Sequence, residues 1–101
     1  MADALACNIL AISAARRPRY HELVNRLRSA MHQRKELPAG YTYVLRSNEI
    51  TLPEVAEWVT MERLCCPFLI FELGVAGEMS RLTMRGPEGV KAILQAEFPS
   101  G

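Results

Sequence analysis

Thr51 to Pro67 is the stretch that most constrains the fold, because the sequence marks a helix at both of its ends. At the start, Thr51 can accept a hydrogen bond from the backbone three residues on while Glu54 reaches back to it. Pro53 stands in the first turn, where a missing N–H does no harm. At the far end Pro67 disfavours helical geometry for the residue before it, so the helix must stop at Cys66. Within it Val55, Val59, Glu62 and Cys66, with Trp58 and Cys65, fall on one broad face.

Other segments arrange themselves around that helix. From Pro18, Tyr20, Leu23, Val24, Leu27, Ala30 and Met31 recur at helical spacing, which predicts a helix running to the neighbourhood of Leu37-Pro38-Ala39-Gly40. Tyr41 to Leu45 is β-branched and aromatic, and reads as a strand. Phe68 to Val75 and Met79 to Met84 flank Ala76-Gly77-Glu78 as a hairpin, and Gly86-Pro87-Glu88 opens a last helix with Val90, Ile93, Leu94 and Phe98 inside. The run Ala6 to Ile12 is either a strand or a first helical turn. The order is therefore (β)αβαββα: an α+β fold of two layers, a mainly antiparallel sheet of three or four strands with about three helices on it.

The 101 residues fit one domain, 1–101, with no repeat, linker or low-complexity segment. Half are apolar and 23% charged, an ordinary globular composition. Residues 1–36 carry a net +4 and residues 37–101 a net −3. That basic bias is too weak and too diffuse for a nucleic-acid surface. No apolar run reaches the ~20 residues of a membrane span, and the start of the chain lacks the bases and apolar core of a signal peptide. Three cysteines, an odd number with two of them adjacent, argue against an extracellular disulfide framework and for a reducing, cytoplasmic setting.

Cys65-Cys66-Pro67 is where chemistry is expected. Adjacent Cα atoms are about 3.8 Å apart, closer than the roughly 4.4–6.8 Å usual for a disulfide, so a Cys65–Cys66 bridge would be strained. A helix C-terminus raises a thiol's pKa, which ranks nucleophilic or redox catalysis below binding of a soft metal or metalloid ion, where the ion itself displaces the protons. Cys7 would complete a three-sulfur set suited to such ions if the first segment lies beside this helix. Glu62, four residues before Cys66, could accept a thiol proton or join the ion's surroundings, and Trp58 could line the pocket, although an aromatic there more often packs in the core. Arg63 could offset the helix end's negative charge. His21 and His32, placed on one helix about 16 Å apart, cannot share an ion. The commonest use of such thiols is still core packing. A structural or interaction module, such as a homodimer joined through a sheet edge or the apolar strand Phe68 to Phe71, and a thiol redox enzyme therefore stand as alternatives.

Glu62-Arg63-Leu64-Cys65-Cys66-Pro67-Phe68 and Leu82-Thr83-Met84-Arg85-Gly86-Pro87-Glu88-Gly89-Val90-Lys91 resemble a family of small uncharacterised bacterial proteins with an ERxCCPF…GPEGVK pattern. Cys7-Asn8 and Arg34 to Tyr41 are similar too, while Met84-Arg85 departs from the Leu-Thr expected before Gly-Pro-Glu. The resemblance implies a bacterial cytoplasmic protein, and brings no activity, cofactor or catalytic residue with it.

Overall fold

The computed structural model describes residues 5–99. A 3-10 turn, Ile9–Ala11, leads into α1 (Arg17–Ala30), β1 (Met31–Leu37), β2 (Gly40–Leu45), α2 (Leu52–Cys65), β3 (Ile70–Ala76), β4 (Met79–Arg85) and α3 (Val90–Glu97). The four strands make one antiparallel sheet in the order β1-β2-β4-β3. This is the expected α+β architecture. It consists of two αββ units whose second strands, β2 and β4, meet at the centre of the sheet.

The capping box forms as read: Glu54 N–H donates to Thr51 Oγ1 and Thr51 N–H to Glu54 Oε1, at 3.3 and 2.9 Å. Cys66 leaves helical geometry with φ −125° and ψ 74°, as Pro67 requires. The β3–β4 hairpin turns through Gly77-Glu78, with Gly77 at φ 60°, a conformation few other residues adopt without strain.

Two expectations, the end of the first helix and the start of the last, need correction, and the open choice at Ala6 to Ile12 falls to the helical turn. The first helix ends at Ala30, and Met31–Leu37 is a strand, so His32 lies on β1 while His21 stays on α1. Met31–Leu37 is composed of good helix formers, but antiparallel pairing with Gly40–Leu45 satisfies its backbone, and this outweighs an intrinsic preference of a few tenths of a kcal/mol per residue. Ala6 to Ile12 contains a 3-10 turn and no strand, with Asn8 as its side-chain cap. The last helix begins at Val90 rather than at Pro87, because Gly89 with φ 99° redirects the chain immediately before it.

Alternate residues Tyr41, Tyr43 and Leu45 of β2 and Leu82 and Met84 of β4 are buried with the helices' inner residues Leu23, Leu27, Val55, Trp58, Met61 and Leu94. Thr42 and Thr83 point the other way, their hydroxyls hydrogen-bonded across the strands at 2.7 Å. Trp58 is fully buried and meets Phe71 and Phe98 edge-on at 5.9 and 5.8 Å between ring centres. Gly40 is required where β2 meets β4: a Cβ there would lie 2.0 Å from the Met84 carbonyl oxygen. Arg19 grips the Glu57 carboxylate through two nitrogens, at 2.9 and 2.8 Å, and Arg26 pairs with Glu54, fastening α1 to α2. Among the described residues no helix is long and apolar enough to cross a membrane.

Candidate functional site

The end of α2 meets the beginning of the chain. Asn8 N–H donates to the Cys65 carbonyl at 2.8 Å, which satisfies one of the carbonyls that a helix terminus otherwise leaves to water. That bond lays Cys7 against the Cys65-Cys66 step. Cys66 pairs with Cys7, 59 residues away in sequence, in a disulfide with a Cα–Cα separation of 4.6 Å; Cys65 is a free, buried thiol. All three sulfurs lie within 4.8 Å of one another, and Cys7 is the least buried. The approach of Cys7 to Cys66, which the sequence leaves open, is thus made.

Glu62 lies on the Cys66 face, as its four-residue spacing predicts, and is only 1% exposed. Its Oε2 lies 3.5 Å from Cys66 Sγ, a contact along which Cys66 can donate when the disulfide is reduced. Tyr20 Oη donates to Glu62 Oε1 at 2.5 Å. The Glu97 carboxylate comes from the end of α3, so that Cys7, Glu62 and Glu97 form a second donor set with atoms within 4.8 Å of one another.

Burial dominates the electrostatics. It pushes the Glu62 carboxyl up to about 7, helped by the negative charge of Glu97 and opposed by the Tyr20 hydrogen bond. Glu97 is raised as well, again by burial, with Arg28 pulling the other way. Cys65 is pushed to about 11, by burial first and then by the charges of Glu62 and Glu97. This thiol is therefore protonated and weakly nucleophilic at neutral pH, in keeping with its place at a helix C-terminus. Arg63, the cation that the sequence offers as an offset, is exposed.

The cluster opens on a cleft of about 480 Å³, with Cys7, Cys65, Tyr20, His21 and Glu97 among its lining residues. Trp58 does not line it. Its ring belongs to the core, and its indole N–H has no partner among the described residues. Tyr20 and Glu97 are the members that sequence reading misses. Tyr20 carries only the signal of a helix inner-face residue, and Glu97 reaches the site through the packing of α3, which no local spacing encodes.

Chemically, the arrangement offers three sulfurs beside two carboxyls of raised pKa, of which Glu62, at about 7, can exchange protons near neutrality. It can chelate a thiophilic ion once reduced, or cycle between dithiol and disulfide. No protein-family model, no curated protein and no solved structure matches the chain.

Proposed function

We propose that this chain is a small cytoplasmic protein of bacterial type that binds a soft metal or metalloid ion through Cys7, Cys65 and Cys66. The observation that supports this is the convergence of three sulfurs within 4.8 Å at one helix end. Thiolates select soft ions such as Cu(I), Zn(II), Hg(II) and As(III) over hard cations, and an ion replaces the thiol protons that burial otherwise retains. Glu62, 3.5 Å from Cys66 Sγ, is the group that takes up a released proton.

Titration of the fully reduced protein with As(III), Hg(II), Zn(II) and Cu(I) tests the reading. At least one ion binds at 1:1, with affinity that rises with pH because thiol protons are released on binding. Each of Cys7→Ala, Cys65→Ala and Cys66→Ala weakens binding by at least about 100-fold, beyond the 10–100-fold range typical of outer partners of a metal site. Binding that survives all three substitutions, or no binding at all, ends the proposal. Inert structural thiols would instead label slowly in the native reduced protein and bind nothing.

A second reading, thiol–disulfide exchange, is favoured by the Cys7–Cys66 pairing. In a reducing cytoplasm such a bond is normally transient, and the disulfide is then the oxidised state of the same site. Equilibration in glutathione buffers measures this. A midpoint near the cytosolic poise of about −220 to −260 mV supports cycling; a bond that persists below about −300 mV marks a permanent staple and contradicts both readings.

A further inference from the structure

The two edges of the sheet are guarded very differently. In the order β1-β2-β4-β3 the outer strands are β1 and β3, and each presents a row of backbone N–H and C=O groups with no strand beyond it. Between Met31 and Leu37, β1 carries His32, Gln33, Arg34, Lys35 and Glu36, a charged border of the kind that keeps an edge from pairing with another chain. β3 reads Ile70-Phe71-Glu72-Leu73-Gly74-Val75-Ala76. Its single charge is engaged by Arg85 of the neighbouring strand at 3.1 Å.

Apolar exposure gathers at the same edge. Of the seven large apolar side chains exposed among the described residues, Ile70, Leu73 and Val75 lie on β3, and Met79 opens β4 across the turn. Directly opposed residues of an antiparallel pair share a face. Leu73 is opposite the fully buried Leu82 and Val75 opposite the buried Ser80, so both belong to the helix-covered side of the sheet. They are nevertheless 39% and 57% exposed: the helical layer stops short of this rim.

β3 is also complementary to itself. Two copies related by a two-fold axis normal to the sheet bring their β3 strands together antiparallel. Side chains of one face stay together only if one residue stands opposite itself. Centred on Leu73, all seven residues find a partner: Ile70 faces Ala76, Phe71 faces Val75, Glu72 faces Gly74 and Leu73 faces its own copy. The helix-side row is then Phe71, Leu73 and Val75 from each chain, with the aromatic and β-branched pairing that stabilises sheets. On the other face Glu72 lies over Gly74, where no atom stands within 4 Å of the place a Cβ would take. Arg81, opposite Gly74 on β4, comes next in that row, and among the described residues it has no carboxylate within 4.0 Å. Glu72 of one copy thus approaches Arg81 of the other across a glycine. A register centred on Glu72 would instead set two carboxylates face to face.

We propose that β3 is the edge at which a second copy of this chain docks, the two β3 strands pairing antiparallel about Leu73 and joining two four-stranded sheets into one. The free edges of the joined sheet are the charged β1 strands, so assembly closes at two copies. The proposal does not depend on the thiols.

Sedimentation velocity on the full chain tests it, with reductant and a chelator present so that neither disulfides nor metal ions link copies. The expected result is a reversible monomer–dimer equilibrium in the micromolar range or tighter. Leu73→Lys sets two like charges at the two-fold axis and weakens association by about tenfold or more; Val75→Lys does so by a similar factor. Gln33→Lys, on β1, leaves it unchanged. With oxidised glutathione in place of the reductant, Leu73→Cys cross-links the two copies and the parent does not, since directly opposed Cα atoms are about 4.5 or 5.5 Å apart. Ile70→Cys does not cross-link either, because its twin stands beside Ala76 at the far end of the strand, about 20 Å away. A chain that stays monomeric throughout the micromolar range overturns the proposal and leaves the edge to an extended segment of another protein. So does a dimer that withstands both lysine substitutions, one that is lost with Gln33→Lys, or equal cross-linking through Leu73→Cys and Ile70→Cys. Near-ultraviolet circular dichroism verifies the native fold of each variant, and the exposure of Leu73 and Val75 lets the single chain accommodate lysine there.

Discussion

The two αββ units share a topology and differ at the junction between helix and first strand. In the first, α1 passes into β1 with no residue between, Ala30 to Met31. In the second, α2 is broken by Pro67 and residues 66–69 intervene before β3. The direct junction leaves arginines along the inner edge of the sheet. The broken one lets Cys66 turn away from the helix axis toward Cys7. Clefts lie on both sides of the α3 terminus: one is lined by β1, β2 and the end of α1, the other by α1 residues from Tyr20 to Arg28 together with Cys7, Cys65 and Glu97, and Arg28 borders both. Adjacent residues of the α3 terminus divide them, Glu97 facing the sulfur cleft and Phe98 the other. Local chain geometry at the second junction decides whether sulfur at a helix end can meet the beginning of the chain.

Removing the partition is the most disruptive way to break this contrast. Phe98 is buried against Tyr43 and Trp58, so Phe98→Ala is expected to destabilise the fold by about 3–5 kcal/mol in denaturant unfolding. The loss should be far smaller for Phe98→Leu, which keeps the division between the clefts. If Phe98→Ala is tolerated within about 1 kcal/mol, the aromatic is not the wall described above.

A finer test separates the clefts by their response to pH. A carboxyl whose pKa is raised on folding makes the native state bind more protons than the unfolded chain between the two values. Glu62 therefore favours the fold at low pH, and that contribution is lost as pH rises from about 4.5 through about 7. Glu62→Gln should flatten this decline by up to about 3.5 kcal/mol, since each tenfold change in proton affinity corresponds to about 1.4 kcal/mol. Tyr43→Phe, at the other cleft, should leave the pH profile of stability over that window as it is. Parallel melting curves from pH 4 to 8 decide the matter, and a Glu62→Gln profile as steep as the parent's removes Glu62 from the account.

What is legible in the sequence follows the same division between local and distant causes. The Thr51–Glu54 box, the halt at Pro67, the Gly77 hairpin and the shared face of Glu62 and Cys66 all depend on residues within about a helical turn of one another, and all can be read directly. The strand Met31–Leu37 cannot, because its identity comes from pairing with β2 against its own helical tendency. The meeting of Cys7 with Cys66 spans 59 residues, and Tyr20 and Glu97 reach Glu62 from two other helices. Likewise, by spacing alone Arg34 is one more charge on a solvated helix face; only its register places it opposite Tyr43.

Cys7 belongs to a short stretch moored to α2 by the backbone hydrogen bond from Asn8 to Cys65 and by its own sulfur, with Ile12 sunk in the core as the next anchor. Whatever engages that sulfur therefore also decides how firmly residues 5–12 are held. Linkage makes the relation reciprocal: a ligand that tightens the arm is itself bound more tightly when the arm is already in place. Occupancy at one sulfur atom and order along eight residues of backbone are in this molecule a single equilibrium, observable from either side.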